Sequence, residues 1–213
     1  MGMKFLTVSA LAMAVVVGCA TQKTADKSAA ASADKPALMN GASAVMLANS
    51  CSGCHGTGGL SNGPATPTIA GLEVDYLEEV MAAYKNGDRV NTIMTRIAKG
   101  YSDQEIELMA GYFSKQQFRG RIQTSVGSKA QMGKKLHDDY CEKCHEDGGT
   151  SVEDTPLAGQ WMPYIHWTIS DYLNGHNHPE KKMKKAINKM LAKNSSMTKA
   201  QIAEYLANFY GSR

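Results

Sequence analysis

The sequence predicts an all-α protein built from two homologous helical domains in tandem. Three observations lead to this prediction. A pentad at 51–55 recurs at 141–145, displaced by 90 positions. Apolar residues recur at helical spacing in each half, as at Val74, Leu77 and Met81. No stretch alternates apolar and polar residues with the period of two that is typical of a half-buried strand.

The composition is that of a globular chain and argues against several function classes. The 213 residues are 43% hydrophobic and 20% charged, with a formal net charge of +3. This length suits two domains of about 100 residues each. The surplus of positive charge is small, and no aromatic residues are interleaved with the basic ones, so nucleic acid is not an expected partner.

The N-terminal segment, residues 1–18, is typical of an export signal. Lys4 precedes an apolar run from Phe5 to Val17, which is shorter than the roughly 20 residues that cross a bilayer. Small residues then precede Cys19, as in a bacterial lipobox, whose cysteine becomes lipid-modified. An ordinary signal peptide with an incidental cysteine is the alternative. The sequence therefore predicts a periplasmic lipoprotein that is anchored to a membrane through Cys19.

The rest of the chain divides into a tether and two domains. Residues 19–39 are predicted to form a flexible tether, because they lack aromatic side chains and large apolar ones. About 18 such residues have a root-mean-square reach of roughly 25 Å. The domain boundaries that we expect are 40–118, with a linker at 119–128, and 129–213.

Each domain is expected to contain three principal helices that repeat from one half to the other. Their apolar residues form one stripe, and Asp103 begins one of them with an acidic first turn. The predicted ranges are 43–50, 74–85 and 103–115 in the first half, and 130–140, 162–173 and 199–210 in the second.

The repeated pentad is the pattern C-x-x-C-H, which in an exported chain is the attachment signature of c-type haem. Cysteines three apart on a turn face the same way and form thioethers with the two vinyl groups, and the histidine that follows binds the iron. The prediction is two covalent haem c groups. They are held by Cys51, Cys54 and His55, and by Cys141, Cys144 and His145.

Three other uses of these cysteines are weaker interpretations. A tetrahedral zinc site would have to unite pairs from separate domains. A thioredoxin-like redox pair needs a βαβ unit that the pattern does not predict. Disulfides are permitted outside the cytoplasm, but they do not explain the repeated histidine. With Cys19 assigned to the lipid anchor, none of the five cysteines is left over.

Methionines are the expected sixth ligands to the iron. Met94 lies 39 residues after His55, in a predicted loop between two helices. Met183 lies 38 residues after His145. Met190 is the main alternative in the second half, although it has the spacing of a core residue.

Histidines are the remaining alternatives, and prolines complete the predicted sites. His176 or His178 could replace a methionine in the second half, whereas His137 and His166 are interpreted as ordinary core or surface histidines. Prolines stand twelve and eleven residues after the motif histidines. They resemble the proline of class I cytochromes whose carbonyl receives the imidazole N–H. They are Pro67 and Pro156.

Several segments resemble one family more specifically. They are CSGCHGTGGLSNGPATPTIAG, NTIMTRIAKGYS, MAGYF, KLHDDYCEKCHEDGG and LAGQWMPY. They are similar to the dihaem cytochrome subunit of flavocytochrome c sulfide dehydrogenase, within the tandem class I dihaem cytochromes. The resemblance implies two domains that each wrap around one haem, with Met94 and Met183 completing the iron ligands.

The resemblance also implies a division of labour between subunits. The family pairs this cytochrome with an FAD-containing flavoprotein that oxidises sulfide and passes electrons to the haems. This chain has no G-x-G-x-x-G motif after a strand, so we expect no flavin in it and no catalysis by it alone. A freestanding dihaem carrier between redox complexes is the alternative, and a dihaem peroxidase is disfavoured because both sixth positions are expected to be filled.

Charge differs between the two halves. Residues 40–119 carry 6 basic and 8 acidic side chains, and residues 121–213 carry 13 and 10. The lysine-rich segment from Lys181 to Lys193 is expected either to dock an acidic soluble or membrane-bound electron acceptor or to be a solvated helix face.

Overall fold

A computed structural model describes residues 42–91, 93–151 and 155–213. The predicted signal segment, the tether and Cys19 lie outside the described residues. Every regular element in the described ranges is helical, which confirms the all-α prediction. Both halves of the repeat fall within one compact unit.

The first half is built on two long helices. Within the described residues its helices are α1 (Ala44–Asn49), α2 (Ser52–His55), α3 (Val74–Asn86), α4 (Met94–Ala98) and α5 (Asp103–Phe113). Helix α3 ends at Gly87, whose φ of 86° is left-handed and costs a glycine little. Helix α5 begins with a capping box in which Ser102 and Glu105 satisfy each other's backbone N–H groups.

The second half repeats this plan, with a longer first helix and a longer helix after α8. Its helices are α6 (Gly127–Tyr140), α7 (Glu146–Gly149), α8 (Met162–Asn174), α9 (Lys181–Lys193) and α10 (Lys199–Gly211). Helix α8 ends at Gly175 in the left-handed conformation, as α3 does at Gly87. Helix α10 begins with a capping box formed by Thr198 and Gln201. The repeat therefore preserves the signals that begin and end these helices.

Each half has its own hydrophobic core. In the first half α1 and α3 pack against α5, around residues such as Leu47, Ile106 and Phe113. In the second half α6 and α8 pack against α10, around Leu136 and Ile202 among others. The apolar stripes that the sequence predicts thus meet within each half.

The segments after α3 and α8 differ most between the halves. Met94 does not lie in an irregular loop, as the sequence suggested, but is the first residue of the five-residue helix α4. The corresponding part of the second half is the thirteen-residue helix α9, which contains Met183 and Met190. The loop prediction failed because a helix of little more than one turn leaves almost no periodic pattern.

The two halves are joined by buried hydrogen bonds. The Gln160 side chain accepts from the Thr68 amide at 3.0 Å and donates to the Thr68 carbonyl at 2.6 Å. The indole Nε1 of Trp161 donates to the Ser61 carbonyl at 3.2 Å. Gln160 is only 3% exposed, so its two bonds satisfy backbone groups that water does not reach.

None of the helices in the described ranges combines the length and the apolar character that crossing a membrane requires.

A single glycine sets the distance between α6 and α10. A Cβ added to Gly133 would lie 2.0 Å from the Tyr205 carbonyl oxygen, whereas a Cβ at Gly111 in α5 would meet nothing within 4 Å. We expect Gly133→Ala to lower the free energy of unfolding by about 3 kcal/mol, because the two helices must move apart. Urea denaturation of the holoprotein measures this.

Gly111→Ala is the matched control, and it should leave stability unchanged or raise it by up to about 1 kcal/mol. Equal effects of the two substitutions would show that close packing of α6 on α10 does not limit stability.

Candidate haem sites

The first attachment motif forms one helical turn. The His55 amide donates to the Cys51 carbonyl at 2.9 Å, and the Cys54 amide donates to the same oxygen at 3.2 Å. Residues three apart on such a turn lie on the same face, so both thiols point to one side. Neither thiol is in a disulfide; that of Cys51 is partly buried and that of Cys54 is exposed.

The imidazole of His55 is buried and held in one orientation. Its Nδ1 lies 2.9 Å from the Pro67 carbonyl oxygen, as the sequence predicts. Because a carbonyl only accepts, Nδ1 carries the proton and Nε2 keeps its lone pair for a metal. Burial lowers the pKa of His55, against the opposing effect of the Pro67 bond. The ring is therefore a neutral, oriented ligand.

The second motif forms an equivalent turn. The His145 amide donates to the Cys141 carbonyl at 2.9 Å, and the Cys144 amide donates to it at 3.0 Å. Here too the first cysteine is partly buried and the second is exposed. The two pentads thus share the backbone hydrogen bonds of the turn that carries their cysteines.

The proline equivalence does not extend to the second half. Pro156 is fully buried, but its carbonyl is not a hydrogen-bond partner of His145 Nδ1. The loop from His145 to Pro156 is one residue shorter than that from His55 to Pro67. It also begins with Asp147 in the left-handed conformation, at a φ of 54°.

A hydrogen-bond network that the sequence analysis did not predict runs from the core to the surface and fixes this second loop. His137 is 0% exposed, with Nδ1 2.9 Å from the Tyr210 hydroxyl and Nε2–H donating to the Glu142 carboxylate. Glu142 in turn accepts from the amides of Asp147 and Gly148, each at 3.1 Å. The network ties α6 and α10 to the loop that follows the second attachment turn.

The internal repeat gives no indication of this network. The first-half positions equivalent to His137 and Glu142 are Leu47 and Ser52, which cannot form it. His137 is thus a core histidine, as interpreted, but with a structural role. The one feature of the sequence that could have indicated the network is Glu142, an acidic residue inside the second pentad.

Thiol chemistry of the motif cysteines is disfavoured in the folded chain. Burial raises the pKa of the Cys141 thiol to about 11 and shifts that of Cys51 in the same direction. Both thiols are therefore protonated near neutral pH, unlike a redox-active thiolate. Within the described ranges, no group of potential metal ligands combines cysteines of the two motifs, which argues against a shared zinc.

The predicted methionine ligands occupy different positions in the two halves. Met94 is partly buried at the start of α4. Met183 is partly buried and packs against the second core, while Met190, two turns later on α9, is 2% exposed within that core. His176 and His178 are both exposed. The assignment of Met94 and Met183 remains a prediction.

These residues fit covalent haem c. Each half offers two thiols outside any disulfide, on one face of a turn, and the next residue is a histidine. In the first half the imidazole is oriented with Nε2 available.

Comparison with known proteins agrees with this geometry. Residues 39–117 match the family model described as Cytochrome c. The thiosulfate dehydrogenase electron acceptor of Thiomonas intermedia is 34% identical over 146 residues, which are 63% of this chain and 67% of that protein. The chain belongs to the cytochrome c family. Its cofactor is covalent haem c, and the cysteine pairs 51/54 and 141/144 fit the two attachment motifs.

Two further relatives of this cytochrome bear on its fold and role. The cytochrome subunit of sulfide dehydrogenase from Chlorobaculum tepidum is 47% identical over 68 residues, 32% of this chain and 61% of that protein. The match thus spans about three fifths of that relative. The crystal structure of reduced cytochrome c4 from Pseudomonas stutzeri superposes with a TM-score of 0.66 at 23% identity, covering 80% of this chain and 99% of that one. This chain therefore has the fold of a dihaem cytochrome. As a member of the cytochrome c family, it is an electron-transfer protein.

The His137 network predicts a dependence of stability on pH. The hydrogen bond from His137, followed by that from the Gly148 amide, holds the pKa of Glu142 below its usual 4.5. A carboxyl group whose pKa is lower in the folded state stabilises the fold at pH values above its unfolded-state pKa. This contribution disappears as the pH falls through its folded-state pKa. Glu142→Gln should therefore lower the urea midpoint at pH 7, and its difference from the unsubstituted protein should narrow below pH 4.5.

Glu146→Gln, at a neighbouring exposed glutamate, is the control and should leave the midpoint unchanged at both pH values. A Glu142→Gln deficit that is as large at pH 3 as at pH 7 would contradict the ionic role of Glu142.

Proposed function

We propose that this cytochrome is the electron-transfer subunit of a sulfide dehydrogenase, receiving electrons from an FAD-containing flavoprotein. The observation that carries the proposal is the pair of equivalent attachment turns within one compact unit. A reduced flavin donates two electrons, and two one-electron sites in a single chain accept both. The 47% identity to a sulfide dehydrogenase cytochrome subunit supports this partner.

The chain's own residues define how each site would work. Haem c supplies a reversible one-electron centre when it is bound. His55 and Met94 would hold the iron of the first haem, and His145 and Met183 would hold that of the second. Thioether sulfur is a weak neutral donor that favours the reduced iron, so this ligand pair raises the reduction potential. With two protein ligands on each iron, the sites would relay electrons without binding small molecules.

A freestanding dihaem carrier is the second candidate. It is favoured by the greater extent of the match to the thiosulfate dehydrogenase electron acceptor, which covers 63% of this chain against 32% for the sulfide dehydrogenase subunit. The shared fold with cytochrome c4 is compatible with it.

We also propose how the chain meets its surroundings. Lipid on Cys19 would hold it at a membrane facing the periplasm, and the tether would let the cytochrome unit move near the surface. On α9 six lysines are exposed, and they form one face suited to an acidic electron acceptor. They are Lys181, Lys182, Lys184, Lys185, Lys189 and Lys193.

The methionine assignment is tested by substitution on one helix. Met183→Ala should abolish the methionine-to-iron charge-transfer absorption of one haem, because the sixth ligand is lost. Met190→Ala, on the same face of α9, should keep both signals and lower the free energy of unfolding by about 3 kcal/mol, since it empties a core position. Visible spectroscopy of the oxidised holoproteins separates the two outcomes.

Met94→Ala should remove the signal of the other haem. If Met183→Ala leaves both signals intact and Met190→Ala removes one, the second ligand is Met190.

The partner is tested by purifying the tagged full-length chain from membranes of its own host. A stoichiometric flavin chain in the preparation, together with haem reduction on addition of sulfide, is the expected result. The control is the same chain separated from the flavoprotein, which sulfide should not reduce. A lone chain that is inert to sulfide but reduced by a thiosulfate dehydrogenase would establish the second candidate instead.

A further inference from the structure

One peptide group of the first haem site is held by a side chain of the second half. The Pro67 carbonyl, which accepts from His55 Nδ1, and the Thr68 amide belong to the same planar peptide group. That amide donates to Gln160 Oε1 at 3.0 Å. The imidazole, the peptide group and the Gln160 side chain therefore form one hydrogen-bonded chain. It runs from an iron ligand of the first half to a side chain of the second.

Gln160 is itself held in place at this position. Its Nε2 donates to the Thr68 carbonyl at 2.6 Å, so one side-chain amide binds both backbone groups of Thr68. Both residues are buried, so water does not compete for these bonds. The backbone carbonyl of Gln160 accepts from Gln123 Nε2 at 2.8 Å. The support for the peptide group is therefore anchored within the second half.

Trp161, the next residue, holds the same loop at a second point. Its indole Nε1 donates to the Ser61 carbonyl at 3.2 Å. The Ser61 amide donates to Thr68 Oγ1 at 3.2 Å, and the Ser61 hydroxyl donates to the Thr66 carbonyl at 2.6 Å. The residues on both sides of Pro67 are therefore tied to the second half, either directly or through Ser61.

The internal repeat does not reproduce this link in the opposite direction. The first-half position equivalent to Gln160 is Leu72, whose side chain has no hydrogen-bonding group. The amide that follows Pro156 is that of Leu157, and it donates to the Gly149 carbonyl of its own half at 2.9 Å. The support therefore runs one way, from the second half to the first haem site.

Hydrogen bonds at the two ends of a peptide group strengthen each other. When the Thr68 N–H donates to Gln160, the peptide group is polarised, and the Pro67 carbonyl becomes a better acceptor. A better acceptor draws the Nδ1 proton of His55 more strongly and makes the imidazole a more basic ligand. A more basic ligand stabilises the oxidised iron relative to the reduced iron, and this lowers the reduction potential.

We propose that Gln160 is a positioning residue for His55, and that it lowers the reduction potential of the first haem from the other half of the chain. Trp161 supports the same loop through Ser61. Two attachment turns with the same backbone hydrogen bonds thereby acquire different potentials. The inference rests on the haem cofactor and on the observed orientation of His55, and it does not depend on which partner supplies the electrons.

The test follows the Nδ1 proton of His55 by NMR in the reduced, ¹⁵N-labelled holoprotein. Gln160→Leu removes both bonds to Thr68 and should make this proton exchange with solvent about tenfold faster, because its acceptor is no longer held. At a fixed potential the same variant should raise the reduced-to-oxidised ratio of the first haem about threefold, or about 28 mV for one electron. An unchanged ratio overturns the proposal even if exchange is faster, since His55 would then not transmit the effect to the iron.

Asn177→Leu is the matched control. It also removes two hydrogen bonds between a buried side-chain amide of the second half and one backbone residue of the first, Val90. It should loosen the contact between the halves and leave the exchange of the His55 proton unchanged. Equal acceleration in Asn177→Leu and Gln160→Leu would show that His55 responds to any loosening between the halves, which overturns the proposal.

A milder variant keeps the test decisive if Gln160→Leu does not fold. Trp161→Phe keeps an aromatic ring and removes the hydrogen bond to Ser61. It should make the His55 proton exchange about threefold faster, because one of the two supports of the loop is lost. If Gln160→Leu does not fold, an unchanged exchange rate in Trp161→Phe overturns the proposal.

Discussion

The rest of the structure depends on one backbone hydrogen bond in each attachment motif. The amide of the motif histidine donates it to the carbonyl of the first cysteine. It closes the turn that carries the two cysteines of each motif and the histidine that follows them, at His55 and again at His145. The surrounding helices place these turns against a core, and the loops that follow orient what the turns hold.

The two halves satisfy the same local requirement by different means. In the first half, the carbonyl of Pro67 orients the His55 ring directly. In the second half, the buried Tyr210 and His137, together with the half-exposed Glu142, fix the loop beyond the attachment turn. Such differences in hydrogen bonding are a means by which two otherwise similar sites acquire different reduction potentials. The internal repeat thus preserves the geometry of attachment while allowing its surroundings to diverge.

Directional polar contacts join the two halves. Gln160 pairs both backbone groups of Thr68, and Asn177 pairs both backbone groups of Val90. Each of these side-chain amides pairs with one N–H and one C=O group of the other half's backbone. An unpaired backbone group left in such a place costs about 1–3 kcal/mol, so these contacts fix the relative position of the halves more sharply than apolar packing of the same area would. Fixed separation is what an electron relay within one chain requires.

Much of the architecture follows from local signals in the sequence. The bounds of α3, α5, α8 and α10 agree with the periodic stripes and capping residues to within two residues. The Pro67 bond was expected from the resemblance to the proline of class I cytochromes, and the structure shows it. The same expectation for Pro156 was wrong, because the second loop is one residue shorter and takes a different path. Helix α4 was missed, since five residues carry no period that distinguishes a helix from a loop.

The sequence by itself determined the two attachment turns, the helical class and the division into a repeat, because these depend on contacts between near neighbours in the chain. Only the tertiary structure showed that His137 meets Glu142 and Tyr210, that Gln160 reaches Thr68 across 92 positions, and that Asn177 reaches Val90. These contacts depend on how complete helices pack against each other. No local sequence pattern encodes which side chains meet when distant segments come together.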